Sequence, residues 1–270
     1  MTKMLGNIAG QAAWVLPWLW LPLIWVLAKN VAAGPAPDWK NSLPDRTWFL
    51  CCLAMGPIVV FTIPTLWGSQ GLFHWQAPGY LLAWPLLGRS IAGWLNRDRR
   101  QVLWWLKASV LAFLIIVSLL GSHTATGWMR LAAPRWFTHG DPTTEALDWR
   151  DLPGYLQQQN LLTGNIKGVI APHWIDAGKI DYVLGGKIPV LCLTNEPHHF
   201  AFMHHQSEFK GSDMLIIGRR ELLAKLLPGY RPYFTAIDPL GTVTITRQGF
   251  PEFEVSVFQA KEFTGTFPLP

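Results

Sequence analysis

Two short stretches of this 270-residue chain carry side chains able to do chemistry at close spacing. The first is FHWQAPGYLLAWP, from Phe73 to Pro85, where His74, Trp75, Gln76 and Tyr80 stand inside the most apolar part of the sequence. An imidazole, an amide and a phenol so placed can hydrogen-bond a polar headgroup, and the indole can stack on a ring. The same four side chains equally suit an aromatic belt whose polar tips sit at a membrane boundary. The second stretch is NEPHHFAFMHH, with His198, His199, His204 and His205. Four imidazoles could hold a divalent metal. The flanking chain reads as an irregular loop, however, and Glu196 and Glu208 stand in no recognisable ligand motif, so a polar or substrate-facing loop is expected and no cofactor is assigned. No nucleophile elbow surrounds Ser207 or Ser212, and Gly185 and Gly186 lack the spacing of a phosphate-binding loop.

The elements that must position the first stretch are membrane helices. Half of the residues are hydrophobic, and they crowd into the part before residue 122. No Asp, Glu, Lys or Arg occurs from Met4 to Ala28, from Thr47 to Gly88, or from Ala108 to Met129. One crossing takes about 20 apolar residues. The pattern therefore predicts a transmembrane region over residues 1–122 with four spans: Gln11 to Asn30, Trp48 to Trp67, Pro78 to Leu95 and Val102 to Ser122. Sixteen tryptophans suit such a region, because indoles favour the headgroup boundary.

Orientation follows from the basic residues. Arg97, Arg99 and Arg100 place the loop between spans three and four on the inside, and Lys29, Lys40 and Arg46 do the same for the loop after span one. Arg89 and Lys107 lie near the inner ends of their spans, where long side chains reach the interface. The hairpin from Gly68 to Ala77 has no Lys or Arg and falls outside, which puts His74 to Tyr80 at the outer boundary. The net charge of +5 comes without a basic stripe interleaved with exposed aromatics, so no nucleic acid partner is expected. Cys51, Cys52 and Cys192 read as three small apolar residues.

After Ser122 the sequence changes to globular composition with turns. Residues 123–147 read as an interfacial linker, and residues 148–270 as a small α/β domain outside the membrane. TTEALDWRDLPGYLQQQ reads as a helix, KGVIA as a buried strand and HWIDAGKIDYVLG as a helix closed by Gly185 and Gly186. IPVLCL and DMLIIG read as buried strands, and RRELLAKLL as a helix stopped at Pro228 and Gly229. RPYFTAI, GTVTITRQ and FEVSVFQA read as three further strands, making a sheet parallel at first and antiparallel at its end.

Gly10 and Gln11 opening a span with a later proline, and then the hairpin into HWQAPGYLLAWPLLGR, resemble the carboxyl-terminal half of bacterial protein O-mannosyltransferase-like membrane glycosyltransferases. These form glycosyltransferase family 39 and its relatives in the GT-C superfamily, including the lipid A aminoarabinose transferase. DWRDLPGYL, the helix reaching Tyr182 and the turn LGGKIPV resemble the family's extracytoplasmic domain.

The resemblance implies an inner (plasma) membrane protein that moves a sugar from a polyprenyl-phosphate donor to an acceptor on the outer face. Pro78 and Tyr80 match the family's Pro-x-Tyr feature, which implies that Tyr80 helps to hold the carrier phosphate. His74, Trp75 and Gln76 stand where the aminoarabinose transferases have a lysine before the proline. In the family a carboxylate of the first outer loop acts as general base. No span here corresponds to that loop, so the expectation is a carboxyl-terminal fragment or split subunit, inactive without an upstream partner and with no catalytic residue of its own. The amino terminus, which alternation places outside, points the same way. The competing expectation is a noncatalytic membrane anchor presenting an α/β binding or assembly domain.

Overall fold

The computed structural model describes residues 2–35, 46–67, 74–138, 140–162 and 166–268. By internal contacts the chain divides into two compact units, Met1–Val117 and Ser118–Pro270. The first is helical, and the second is a small α/β domain built on a five-stranded mixed sheet.

In the helical unit, α1 (Thr2–Val15) and α2 (Pro17–Ala33) meet at Leu16, and their axes bend by 107°. A single straight span from Gln11 to Asn30 is therefore not formed. Pro17 is the cause. It offers no N–H to the preceding turn and disfavours the helical conformation at the residue before it. Leu16 accordingly takes φ +74°, and Pro17 becomes the first residue of the new helix.

Next come α3 (Arg46–Thr62), extended by a 3-10 turn at Ile63–Trp67, then α4 (Ala77–Arg97) and α5 (Arg99–Thr126). Two helical stretches are long and apolar enough to cross a membrane, Thr47–Trp67 and Arg99–Thr126, and the bent pair α1–α2 would make a third if it acts as one span. Arg89, Ser90, Asn96 and Arg97 dilute the second half of α4. Most of the hairpin Gly68 to Ala77 lies outside the described residues, which resume at His74.

One packed stripe holds α2, α3 and α4 together. Leu23, Val26 and Leu27 meet Cys51 and Ala54, and both groups meet Tyr80, Ala83, Leu86 and Leu87. The α4 residues recur at helical spacing, so one face of α4 is buried. Gly79 sets the approach: a Cβ there would lie 2.5 Å from the Ala54 carbonyl oxygen and 2.7 Å from Ile58 Cγ1.

The second unit begins inside α5 and continues through α6 (Met129–Ala132) and 3-10 turns at Pro134–Phe137 and Pro142–Ala146. The helix expected from TTEALDWRDLPGYLQQQ is shorter, α7 (Asp151–Gln158), because Leu147 is already extended. Then follow β1 (Ile166–Ala171), α8 (Trp174–Leu184), β2 (Val190–Cys192), α9 (Phe200–Met203), β3 (Asp213–Arg219) and α10 (Arg220–Tyr230). α10 runs through Pro228, which sits in its last turn. The chain closes with the hairpin β4 (Ala236–Arg247) and β5 (Phe250–Lys261), turned by Gln248 and Gly249 at positive φ.

The strand order is β2-β1-β3-β5-β4, with β1 parallel to β2 and β3, and β5 antiparallel to β3 and β4. Alternate residues face opposite layers. Val169, Ala171, Leu215 and Ile217 pack with α7 and α8, whereas Ile170, Met214 and Ile216 pack with Leu223 and Tyr230 of α10.

Candidate functional site

Of the four side chains singled out near the hairpin, two are buried and two are exposed. Gln76 and Tyr80 are one helical turn apart, and both point into the helical unit. Asn7 and Gln11 have the same spacing on α1, and Thr62 ends α3. The five form one closed polar group. Gln11 Nε2 donates to Asn7 Oδ1 at 2.6 Å and to Thr62 Oγ1 at 3.2 Å. Gln76 Nε2 donates to the same two oxygens at 3.2 and 3.4 Å. The Tyr80 hydroxyl donates to Gln11 Oε1 and accepts from Trp20 Nε1 at 3.0 Å.

One acceptor is left over: Gln76 Oε1 is buried without a hydrogen-bond partner. Such a group costs about 1–3 kcal/mol until a donor reaches it. The cluster is uncharged, so it can orient a hydroxyl or a water but cannot by itself balance a phosphate. His74 and Trp75 remain at the surface. Trp75 packs edge-on against Phe61 with ring centres 5.6 Å apart, and the His74 ring lies 6.2 Å from Trp14. Asn7 and Thr62 escaped the sequence reading; the available signal was Asn7 one turn before Gln11 in an uncharged segment.

The α/β domain has a second candidate, at the carboxyl ends of its parallel strands. After β1 the chain passes through α8 to β2 on one side, and β3 lies on the other, which is the crevice where open α/β sheets bind ligands. β1 and β3 come close there: a Cβ on Gly218 would meet Pro172 Cγ at 2.5 Å. His173 caps α8, its Nδ1 accepting from the Ile175 amide at 3.2 Å. In the first turn of α8, Asp176 is 2 % exposed; its Oδ1 is 3.6 Å from Arg219 Nε and its Oδ2 has no hydrogen-bond partner.

Burial raises the Asp176 pKa against the opposing pull of Arg219, His173 and Lys179. A carboxyl so held can carry a proton at higher pH than an exposed one and donate it. Cys192, at the end of β2, is pushed up to about 12 by burial and by Asp176, which leaves it a thiol and no nucleophile. Lys179, lowered by burial and Arg219, is held by the carbonyls of Glu145 and Leu147 at 2.6 and 2.8 Å. Cys192 was expected to be a small apolar residue and is buried as one, whereas Asp176 and Lys179 did not stand out in the sequence, since an aspartate in the first turn of a helix is ordinary.

The four histidines after Pro197 diverge. His198, at φ +51°, lays its ring 4.5 Å from Trp174, His199 packs on Phe200 at 4.2 Å, and His204 meets Phe209 edge-on at 6.1 Å. Among the described residues no three His, Cys, Asp or Glu side chains converge on a point that could hold a metal ion.

A buried ionic knot also lies in the second unit. Arg247, 2 % exposed, donates from Nη1 to the His123 carbonyl at 3.0 Å and from Nη2 to Asp141 Oδ2 at 3.3 Å, and its Nε is 3.0 Å from Glu252 Oε1. His123 Nε2 is 3.3 Å from Asp141 Oδ2, and Arg130 Nη1 is 2.7 Å from Glu252 Oε2. Burial alone would raise the Asp141 pKa, but the Thr143 hydroxyl and amide, His123 and Arg247 outweigh it and hold the carboxyl below its usual range. Stretch 123–147 is thereby tied to β4 and β5.

No protein-family model, no curated protein and no solved structure matches this chain.

Proposed function

We propose that the chain works in a bacterial plasma membrane as the carboxyl-terminal part of a glycosyltransferase that takes a sugar from a polyprenyl-phosphate donor. In this reading α3, α4 and α5 cross the bilayer and α1 with α2 supplies a fourth, broken span. The α/β domain then lies on the outer face, and the general base comes from residues outside this chain. The observation that carries the proposal is the hairpin end of α4: exposed His74 and Trp75 directly precede the buried Gln76, whose Oε1 has no hydrogen-bond partner. Trp75 offers a face for the sugar, Gln76 an acceptor for a sugar hydroxyl, and His74 a donor for the phosphate.

The second reading, a noncatalytic membrane module presenting an α/β binding domain, is favoured by one fact. Gln11 and Gln76 donate to Asn7 and Thr62, and Tyr80 donates to Gln11 and accepts from Trp20, as in a purely structural network.

Binding of an undecaprenyl-phosphate-linked hexose to the purified chain in phosphatidylcholine nanodiscs separates the two. His74→Ala and Gln76→Leu are expected to weaken it about tenfold each, the loss of one hydrogen bond in a charged or polar site, with membrane insertion unchanged. Equal affinity of both variants and the parent would remove the transferase reading and leave the anchor.

A further inference from the structure

The helical unit carries a separate concave site at the other end of α4. A cavity of about 480 Å³ opens between the last turns of α2 and α4 and the first turn of α3. Lys29, Arg89 and Arg97 line it, Trp25 and Trp94 wall it, and none of its described lining residues is acidic. Arg89 Nη1 donates to Thr47 Oγ1 at 2.8 Å, which fixes the guanidinium at the rim. Lys29 Nζ lies 5.4 Å over the Trp25 ring, and the Trp25 and Trp94 ring centres are 6.2 Å apart. Tyr80 and Arg97 are 17 residues apart on one helix, about 26 Å at the usual rise, so this site is independent of the one at Gln76.

Charge arithmetic selects the ligand. The carboxyl ends of α2 and α4 bring about −0.5 each to this region and the amino end of α3 about +0.5. With the three side-chain cations the described groups sum to about +2.5, enough to balance a phosphomonoester of about −2. Lys29, Arg89 and Arg97 are exposed, as cations that mark the inner boundary of a span are, but they also rim a hollow in which Trp25, Trp94 and Leu86 stand beside Asn30, Thr47 and Ser90, a shape that suits a charged head joined to an apolar chain.

We propose that this cavity binds a phosphate group, with Lys29, Arg89 and Arg97 as its cationic contacts and Trp25 and Trp94 against the chain that bears it. The phosphate belongs either to the headgroup of an anionic lipid or to a free ion, and the two sources separate experimentally. Equilibrium titrations of the full chain in neutral detergent would use phosphatidic acid in mixed micelles in one arm and inorganic phosphate in the other. The Lys29→Gln, Arg89→Gln, Arg97→Gln triple variant is expected to lose affinity about tenfold or more for whichever probe binds.

Two further variants guard the result. Arg99→Gln with Arg100→Gln removes two charges from the same region outside the cavity and is expected to change affinity less than about twofold. Gly93→Trp keeps every charge but fills the hollow, because no atom lies within 4 Å of where its Cβ would be, and it is expected to bind as poorly as the triple variant. Response to phosphatidic acid alone assigns the site to a lipid headgroup; response to both probes assigns it to the phosphate itself. The proposal is overturned if neither probe binds, if Gly93→Trp binds like the parent, or if the Arg99 and Arg100 pair costs as much as the triple.

Discussion

At the scale of residues, Asp176 is the side chain whose position fits stability least. It is buried at the carboxyl end of the parallel strands, one oxygen has no hydrogen-bond partner, and its nearest cation is 3.6 Å away. Its pKa in the folded chain is raised above the ordinary 3.8. The sign then follows from linkage: a carboxyl with a raised folded pKa contributes stability that is full below the unfolded value and is lost as pH rises through the folded one. Asp176→Asn removes the charge and keeps the shape. It is expected to raise the melting midpoint at pH 8 by about 2–4 °C for each kcal/mol relieved, and to change it little at pH 4. Thermal unfolding of the two proteins at both values checks this, and a variant that melts lower at pH 8 would mean that the Arg219 pairing outweighs burial. No local signal revealed Asp176, because its burial arises only when β1 and β3 assemble on either side of the crevice. His74, Trp75, Gln76 and Tyr80 were legible as a group, since four polar-tipped side chains in an uncharged run are conspicuous. Which of them turn inward was decided by Asn7 and Gln11, sixty-odd residues away in the sequence.

At the scale of elements, the close crossing of α3 and α4 rests on one position. Gly79→Ala would put a methyl group 2.5 Å from a backbone oxygen, which a flexible side chain cannot relieve. The helices must separate, at a cost of about 1–3 kcal/mol. Gly88→Ala on the same helix meets nothing within 4 Å and improves helix propensity. Unfolding of the two variants by titration with a denaturing detergent should therefore move in opposite directions, and equal stabilities would show that the crossing is looser than its geometry. The long apolar helices and the buried strands β1, β2 and β3 could be read from uninterrupted apolar runs. Two errors share a cause, proline read without its neighbours. Pro17 breaks the first expected span at Leu16, whereas Pro239 does not interrupt β4, so RPYFTAI and GTVTITRQ are not two strands. β4 is an edge strand, where a missing N–H costs no ladder bond, and the register shift between Pro239 and Gly241 absorbs the distortion.

At the scale of the whole molecule, the two units are separately packed, and they should also lose their structure separately. The core of the helical unit is apolar apart from one neutral cluster, so mild acid has little to act on. The second unit depends on the knot of His123, Asp141, Arg247, Glu252 and Arg130. Asp141 there has a depressed pKa, so its contribution is present above the unfolded value of 3.8 and is lost as pH falls through the lower folded one. The β-sheet signal in circular dichroism should consequently fail first when pH drops below about 4, while the helical signal persists. Arg247→Leu should lower the stability of the sheet by about 3 kcal/mol at pH 7, because two buried carboxylates lose their shared cation while Asp141 keeps Thr143 and His123 and Glu252 keeps Arg130. Its acid transition should also weaken only in part, since the Thr143 hydroxyl and amide and His123, which hold Asp141 down more than Arg247 does, are kept. A variant whose helical and sheet signals collapse together at every pH would show that the units fold as one. A variant with unchanged sheet stability would show that stretch 123–147 is held by its apolar contacts, and that the buried charges only set its register.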